Sequence, residues 1–201
     1  MKFNRIYHAA ALTCILTWLA GCATEVTRVD TDEVRDLSGA WNDTDSQMVS
    51  KEMIGQMLDG GWLPEFSRRN SRRPTVIVGE VRNLSHEHIN VTTFINDIER
   101  AVIESGRVQF VASRTERQEV RDERKDQDLH AREETRKAMG QETGADFMLK
   151  GDISTIIDAA KRDQVRYYQV DLTLISLTDN TKVWVGQKKI KKFVERSELR
   201  Y

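Results

Sequence analysis

The sequence predicts an α+β domain: one mixed, mostly antiparallel sheet with helices packed on it. Three observations predict it. Apolar residues recur at helical spacing in Val49, Met53, Ile54, Met57 and Leu58, and again in Phe94, Ile95, Ile98, Ala101 and Val102. The run 75–83 is apolar on both alternating faces, as an interior strand requires. From Arg166 to Leu177, Tyr168, Val170, Leu172 and Leu174 alternate with Gln169, Asp171 and Thr173, the pattern of a strand with one wet face. The expected order is a helix followed by β-α-β-α-β-β-β, a single domain within 201 residues.

The first helix is expected to open at Thr44, with Gln47 three residues on as a capping box, and to end at Gly60-Gly61. Trp62, Leu63 and Phe66 then pack as the chain turns at Pro64. Arg68, Arg69, Arg72 and Arg73 follow in a polar loop. After the 75–83 strand, 85–90 reads as a loop. A helix from about Thr92 stops at Gly106, and Val108 to Ala112 reads as a short strand. Residues 114–137 hold eight basic and eight acidic residues, many at i, i+3 or i+4. They read as a solvated helical face, with Ala138 and Met139 pointing inward and Gly144 ending the helix. Strands over 145–157, 166–177 and 182–194 complete a meander, with a turn at Thr178-Asp179-Asn180-Thr181.

The N-terminus has the form of a targeting segment. Lys2 and Arg5 precede an apolar run from Ala9 to Ala20, too short for the roughly 20 residues that span a bilayer. Leu19-Ala20-Gly21-Cys22 has the pattern of a lipobox, so Cys22 is the expected lipidation site, and Ala23 in place of Asp suits the outer membrane. Residues 1–21 are thus a signal peptide to be removed, 22–41 the lipidated N-terminus and a tether, and 42–201 the globular domain. With Cys14 removed and Cys22 acylated, no free thiol remains for catalysis or a disulfide.

Catalytic patterns are missing from the sequence: no G-x-S-x-G, P-loop, Rossmann glycine set or H-E-x-x-H. His86 and His88 would share a side of an extended segment. Glu80 could add a third ligand and His130 is unplaced, so partner contact outweighs metal binding on ligand count. Neither a metal nor a cofactor is expected. Lys188, Lys189, Lys191 and Lys192 alternate between the faces of the last strand. They serve as edge protection or as an electrostatic patch for an acidic partner. With 31 basic and 32 acidic residues and no aromatic stacking platform, nucleic acid is not an expected partner.

A resemblance joins these pieces. Arg82-Asn83-Leu84-Ser85-His86-Glu87-His88-Ile89, Gly106-Arg107-Val108-Gln109-Phe110-Val111, Glu142-Thr143-Gly144-Ala145-Asp146-Phe147 and Val183-Trp184-Val185-Gly186-Gln187-Lys188 resemble the LpoB family. That resemblance, from about Asp43 to Val194, implies an outer-membrane lipoprotein that activates a bifunctional class A penicillin-binding protein from the periplasm. It implies a non-catalytic, monomeric domain acting by differential affinity for the active synthase. The expected partner-binding residues are Arg82, Asn83, His86 and His88, with Arg72 and Arg73 as electrostatic support. The alternative is an envelope lipoprotein subunit of a secretion or scaffold complex, with a curli-secretion-like or TolB-like domain.

Overall fold

The computed structural model describes residues 25–31 and 33–195. The signal segment and Cys22 lie outside them. The chain divides into units at residues 1–34 and 35–201. In the first, the described residues are exposed, and the Glu33 amide donates to the Asp30 carbonyl at 3.2 Å.

The second unit begins with α1 (Asp43–Leu58). Its capping box lies earlier than the sequence suggested. Asn42 Oδ1 accepts from the Asp45 amide at 3.0 Å, and Asp45 Oδ2 accepts from the Asn42 amide at 3.0 Å. Asp45 is buried at this position, which fixes it as the reciprocal partner. The next segment is also a helix, α2 (Trp62–Asn70), rather than a turn and a loop. Pro64 does not prevent it, because a first-turn amide has no intrahelical acceptor to lose. Arg68 and Arg69 therefore stand on a helix, and Arg72 and Arg73 follow it.

The sheet comprises β1 (Thr75–Asn83), β2 (Gln109–Phe110), β3 (Phe147–Ala160), β4 (Asp163–Ser176) and β5 (Lys182–Glu195). Two further helices, α3 (Val91–Glu104) and α4 (Arg114–His130), precede β2 and β3. The strand order is β2-β1-β3-β4-β5, with β1 parallel to both its neighbours and the other two pairs antiparallel. The architecture is α+β, but the sheet is mixed rather than mostly antiparallel. Strands that return through a helical crossover run parallel, and only the β3–β4–β5 meander runs antiparallel.

Helix α4 ends at His130 and buries none of its residues. The expected continuation with Ala138 and Met139 inward does not form; both are exposed. A segment this charged has no apolar stripe to dock, and its stability rests on caps and side-chain pairs. Ser113 and Glu116 form its capping box, and Arg121 grips both oxygens of Glu142 at 2.8 Å.

One face of the sheet is covered. Val76 and Val78 of β1, Leu149 and Ile153 of β3, and Val170, Leu172 and Leu174 of β4 pack with Met53 and Met57 of α1 and Phe94 and Ile98 of α3. The large side chain of Trp184 reaches this core over Gly186, where a Cβ would fall inside the indole ring. The opposite face of β3, β4 and β5 buries no residue from Met148 to Ile156, from Val165 to Ile175 or from Val185 to Phe193. It is open to solvent.

The last-strand lysines divide between these faces. Lys188 pairs with Glu52 of α1, and Lys192 reaches Asp45 at 2.7 Å and Asp36 at 3.0 Å. Burial alone would lower the Lys192 pKa; the two carboxylates outweigh it and hold the ammonium above its ordinary value. Lys189 and Lys191 point to the open face and make no ion pair among the described residues. The cluster therefore has a role that neither reading named: Lys188 and Lys192 clamp α1 to the last strand.

Candidate docking surface

The site is built where β1 ends. Asn83 folds the following loop onto itself: its Nδ2 donates to the Glu87 carbonyl at 2.7 Å, and its Oδ1 accepts from the Ser85 amide at 2.9 Å. The Leu84 amide donates to the Ile153 carbonyl at 2.8 Å, which extends the β1–β3 ladder by one step. Ile89 is buried and pins the far end of the loop, and Asn90 Oδ1 caps α3 through the Thr92 amide at 3.0 Å.

Between these anchors, Glu87 turns inward while His86 and His88 stay exposed. Glu87 Oε1 accepts from Arg166 Nη1 at 2.8 Å and lies 2.7 Å from the Tyr168 hydroxyl. Its Oε2 accepts from the Trp41 amide at 3.0 Å. The same Tyr168 hydroxyl lies 2.8 Å from the Gly39 carbonyl, and the Trp41 ring meets the Tyr168 ring edge-on at 5.6 Å. Residues 39–41, part of the stretch read as tether, are therefore held to β4 through this carboxylate. His86 Nδ1 sits 3.3 Å from Thr155 Oγ1 on β3.

The structure divides the six residues proposed from sequence. Arg82 lies on the open face, fork-bound to Asp152 at 2.6 and 3.1 Å. With Asn83, His86 and His88 it marks one end of the sheet, where Asn83 organises the loop and the histidines face solvent. Arg72 and Arg73 lie at the other end of the nine-residue β1, about 26 Å away. Arg72 grips Asp146 at 2.6 and 2.7 Å, and Arg73 donates to the Gly106 carbonyl at 3.0 Å. Burial raises the Asp146 pKa, but Arg72 and the Thr75 amide overcome that and hold it below the usual range. The six do not form one patch. Among the described residues, no group of three His, Cys, Asp or Glu side chains is placed to hold a metal ion.

The sequence reading missed the apolar part of the surface. Beyond the end of β1, the open face carries Ile156, Val165, Tyr167 and Phe193. The register places Ile156 opposite Tyr167, and Val165 opposite Phe193. Ile156 is 66% exposed and Phe193 65%. Lys189 and Lys191 border them. The available signal was phase: Phe193 is out of step with inward-facing Ile190, and Ile156 with Ile153.

Fold and surface together define an α+β module with one face closed by helices and one end offering histidine, lysine and apolar contacts. The sequence model described as peptidoglycan-synthase activator LpoB matches residues 45–190. The chain belongs to the LpoB family. No curated protein sequence matches it. Among solved structures it is similar to the LpoB C-terminal domain from Salmonella enterica, at 13% identity and a TM-score of 0.43, over 74% of this chain and 99% of that one. It is also similar to the LpoB C-terminal domain from Escherichia coli, at 14% identity and a TM-score of 0.40, over 73% and 96%. Lipoprotein GNA1162 from Neisseria meningitidis matches at 15% identity and a TM-score of 0.38, over 63% and 88%.

Replacing Glu87 by Ala leaves Arg166 and the Trp41 amide without their carboxylate. The expected loss is about 1.5–3 kcal/mol in urea unfolding, with faster hydrogen exchange at the Trp41 amide. Unchanged exchange there contradicts the assignment. Burial, then the bond to Glu87, pushes the Tyr168 pKa above the ordinary 10.0. A group raised on folding stabilises fully below its unfolded pKa, so stability holds below about pH 10 and falls as pH rises further. Tyr168→Phe lessens that alkaline slope and leaves the share that Lys192 contributes, as urea midpoints across pH 8–11 would read.

Proposed function

We propose that this chain is a lipid-anchored outer-membrane protein that binds and activates a bifunctional class A penicillin-binding protein, stimulating peptidoglycan synthesis. The observation that carries the reading is the family match over residues 45–190, which takes in the domain from α1 into β5. The family is one of peptidoglycan-synthase activators. Among the described residues no helix is long and apolar enough to cross a membrane. Attachment in this reading rests on acylation of Cys22, with the domain facing the periplasm.

The docking surface in this reading is the end of the sheet beyond β1. Ile156 and Phe193 supply desolvatable area, Tyr167 an amphipathic ring, and Lys189 and Lys191 a charged rim, while His86 and His88 stand at the same end on the helix-covered side, beside Thr155 and α1. That arrangement, an apolar centre with charge at the edge, is common to protein interfaces. The loop behind it is held by Asn83 and Glu87, so little ordering entropy remains to be lost on docking. Activation then requires only that the synthase's active conformation fit this surface better than its resting one.

The anchor sets a distance. Because the chain from Asp36 onward is bonded to the domain, at most 13 residues, or 14 steps of chain, separate Cys22 from the fold. Fully extended, they reach about 50 Å. A synthase in the opposite membrane must therefore project its docking domain far toward the anchor, or the domain must present its far end.

Glycan polymerisation by a purified class A synthase, with and without the full chain, tests the reading. Stimulation by the unsubstituted chain is expected, and a paired Ile156→Ser, Phe193→Ser variant should need at least about tenfold more protein for the same effect. Its thermal midpoint should be unchanged, because both side chains are mostly exposed. No stimulation by the unsubstituted chain defeats the activator reading. The same apolar patch is what a scaffold or secretion subunit would use to meet other subunits, and a stable oligomer in detergent would favour that reading.

A further inference from the structure

Strand β5 is the outermost strand on one side of the sheet and pairs with β4 alone; the opposite edge is the two-residue β2. In an antiparallel edge strand every second residue turns its amide and carbonyl away from the sheet. Among the described residues, no backbone group from Lys182 to Lys191 bonds to anything but β4. Residues 36–39 come alongside the strand only further on, against Lys192 to Glu195. The unpaired run is about 33 Å long.

A long free edge is a template for another strand, and lysines commonly guard it against association. Here the guard is uneven. Lys182 to Lys191 holds four lysines and no acidic residue. Yet between Lys182 and Lys188 the window Val183-Trp184-Val185-Gly186-Gln187 carries no charge. Val185 is 64% exposed on the open face. On the covered face the Trp184 indole lies over Gly186, so the window is apolar on both sides. The Gln187 amide is turned back to Asp171 of β4, to which it donates at 2.7 Å. Charge protection alone would set a lysine inside this window rather than only at its ends.

The charges at the two ends state what would complement the edge. Lys188 is taken by Glu52 of α1. Lys182, Lys189 and Lys191 are exposed and make no ion pair among the described residues. A strand laid along this edge therefore meets cations at both ends and an apolar stretch between them. A second copy of β5 would bring the same run of lysines, and like charges on paired strands repel. A segment with β-branched residues at its centre and carboxylates at its ends matches both features.

We propose that the free edge of β5 from Lys182 to Lys191 receives an extended, acidic segment of a partner protein as a sixth strand of the sheet. Backbone pairing supplies the affinity, and Lys182, Lys189 and Lys191 select for acid. The edge shares Lys189 and Lys191 with the docking surface but does not rest on the activator reading. Its test uses peptides and no synthase, so failure here leaves that reading standing.

Titration of the full chain into three labelled peptides, read by fluorescence anisotropy, tests it. The first has a valine-threonine centre flanked by glutamates. The second carries lysines in place of the glutamates, and the third is the acidic peptide N-methylated at its central amides. The acidic peptide is expected to saturate with a Kd of about 0.1 mM or tighter, and each control to bind at least about tenfold more weakly. Hydrogen exchange at the amides of residues 183–187 should slow in the acidic complex. A paired Lys189→Glu, Lys191→Glu variant should weaken the acidic peptide about tenfold and strengthen the lysine one, with an unchanged thermal midpoint. Absence of saturation, equal binding of either control, or unaltered exchange in the complex overturns the proposal. A dimer of the chain alone with those amides already protected assigns the edge to a second copy and overturns it too. The peptide comparison decides the matter in the unsubstituted chain, whatever the variant does.

Discussion

The Glu87 carboxylate is the constraint on which the end of the sheet beyond β1 depends. Glu87 sits in a loop, held there by the Asn83 side-chain amide on its backbone carbonyl, yet its carboxylate joins two distant stretches of chain: the segment before α1 through the Trp41 amide, and strand β4 through Arg166 and Tyr168. Its charge is largely withdrawn from water, the Glu87 and Arg166 side chains being 17% and 20% exposed. Such a pair is costly to break from one side, since the remaining charge is left buried and unmatched. The consequence is geometric. With Glu87 held inward, its neighbours His86 and His88 are turned outward, on a backbone that cannot easily rearrange.

A second set of charges does similar work along the other edge. Lys192 ties Asp36 and Asp45 to β5, and Lys188 ties Glu52 of α1 to the same strand. These contacts fasten the N-terminal segment and the first helix to the edge strand. The edge lysines therefore act inward as well as outward. The long β3–β4–β5 meander can then extend past the end of β1 and still be braced, which is what exposes Ile156 and Phe193 on a firm support.

Much of this was legible in the sequence, and the exceptions have physical causes. Period-2 alternation located β4, and apolar spacing located α1 and α3, because burial on one face imposes those periods. The lone helix α2 was hidden by Pro64, which reads as a breaker but is harmless in a first turn. The mixed sheet was misjudged because strand pairing is a tertiary property, and β1 gives no sign of its two parallel neighbours. In the site, the outward histidines followed from their spacing. The role of Glu87 did not, since its partners Trp41, Arg166 and Tyr168 are 46 to 81 residues away. Arg72 and Arg73 were grouped with Arg82 by charge alone, and β1 separates them by its full length.

The central claim is that the end of the sheet beyond β1 meets the synthase. Hydroxyl-radical footprinting of the full chain, with and without a class A synthase, reads it directly. The account predicts that oxidation of Phe193, Tyr167, His86 and His88 falls in the complex, while Phe66 and Met139 are unaffected. Equal oxidation of those four residues in both samples, with binding established independently, would contradict it.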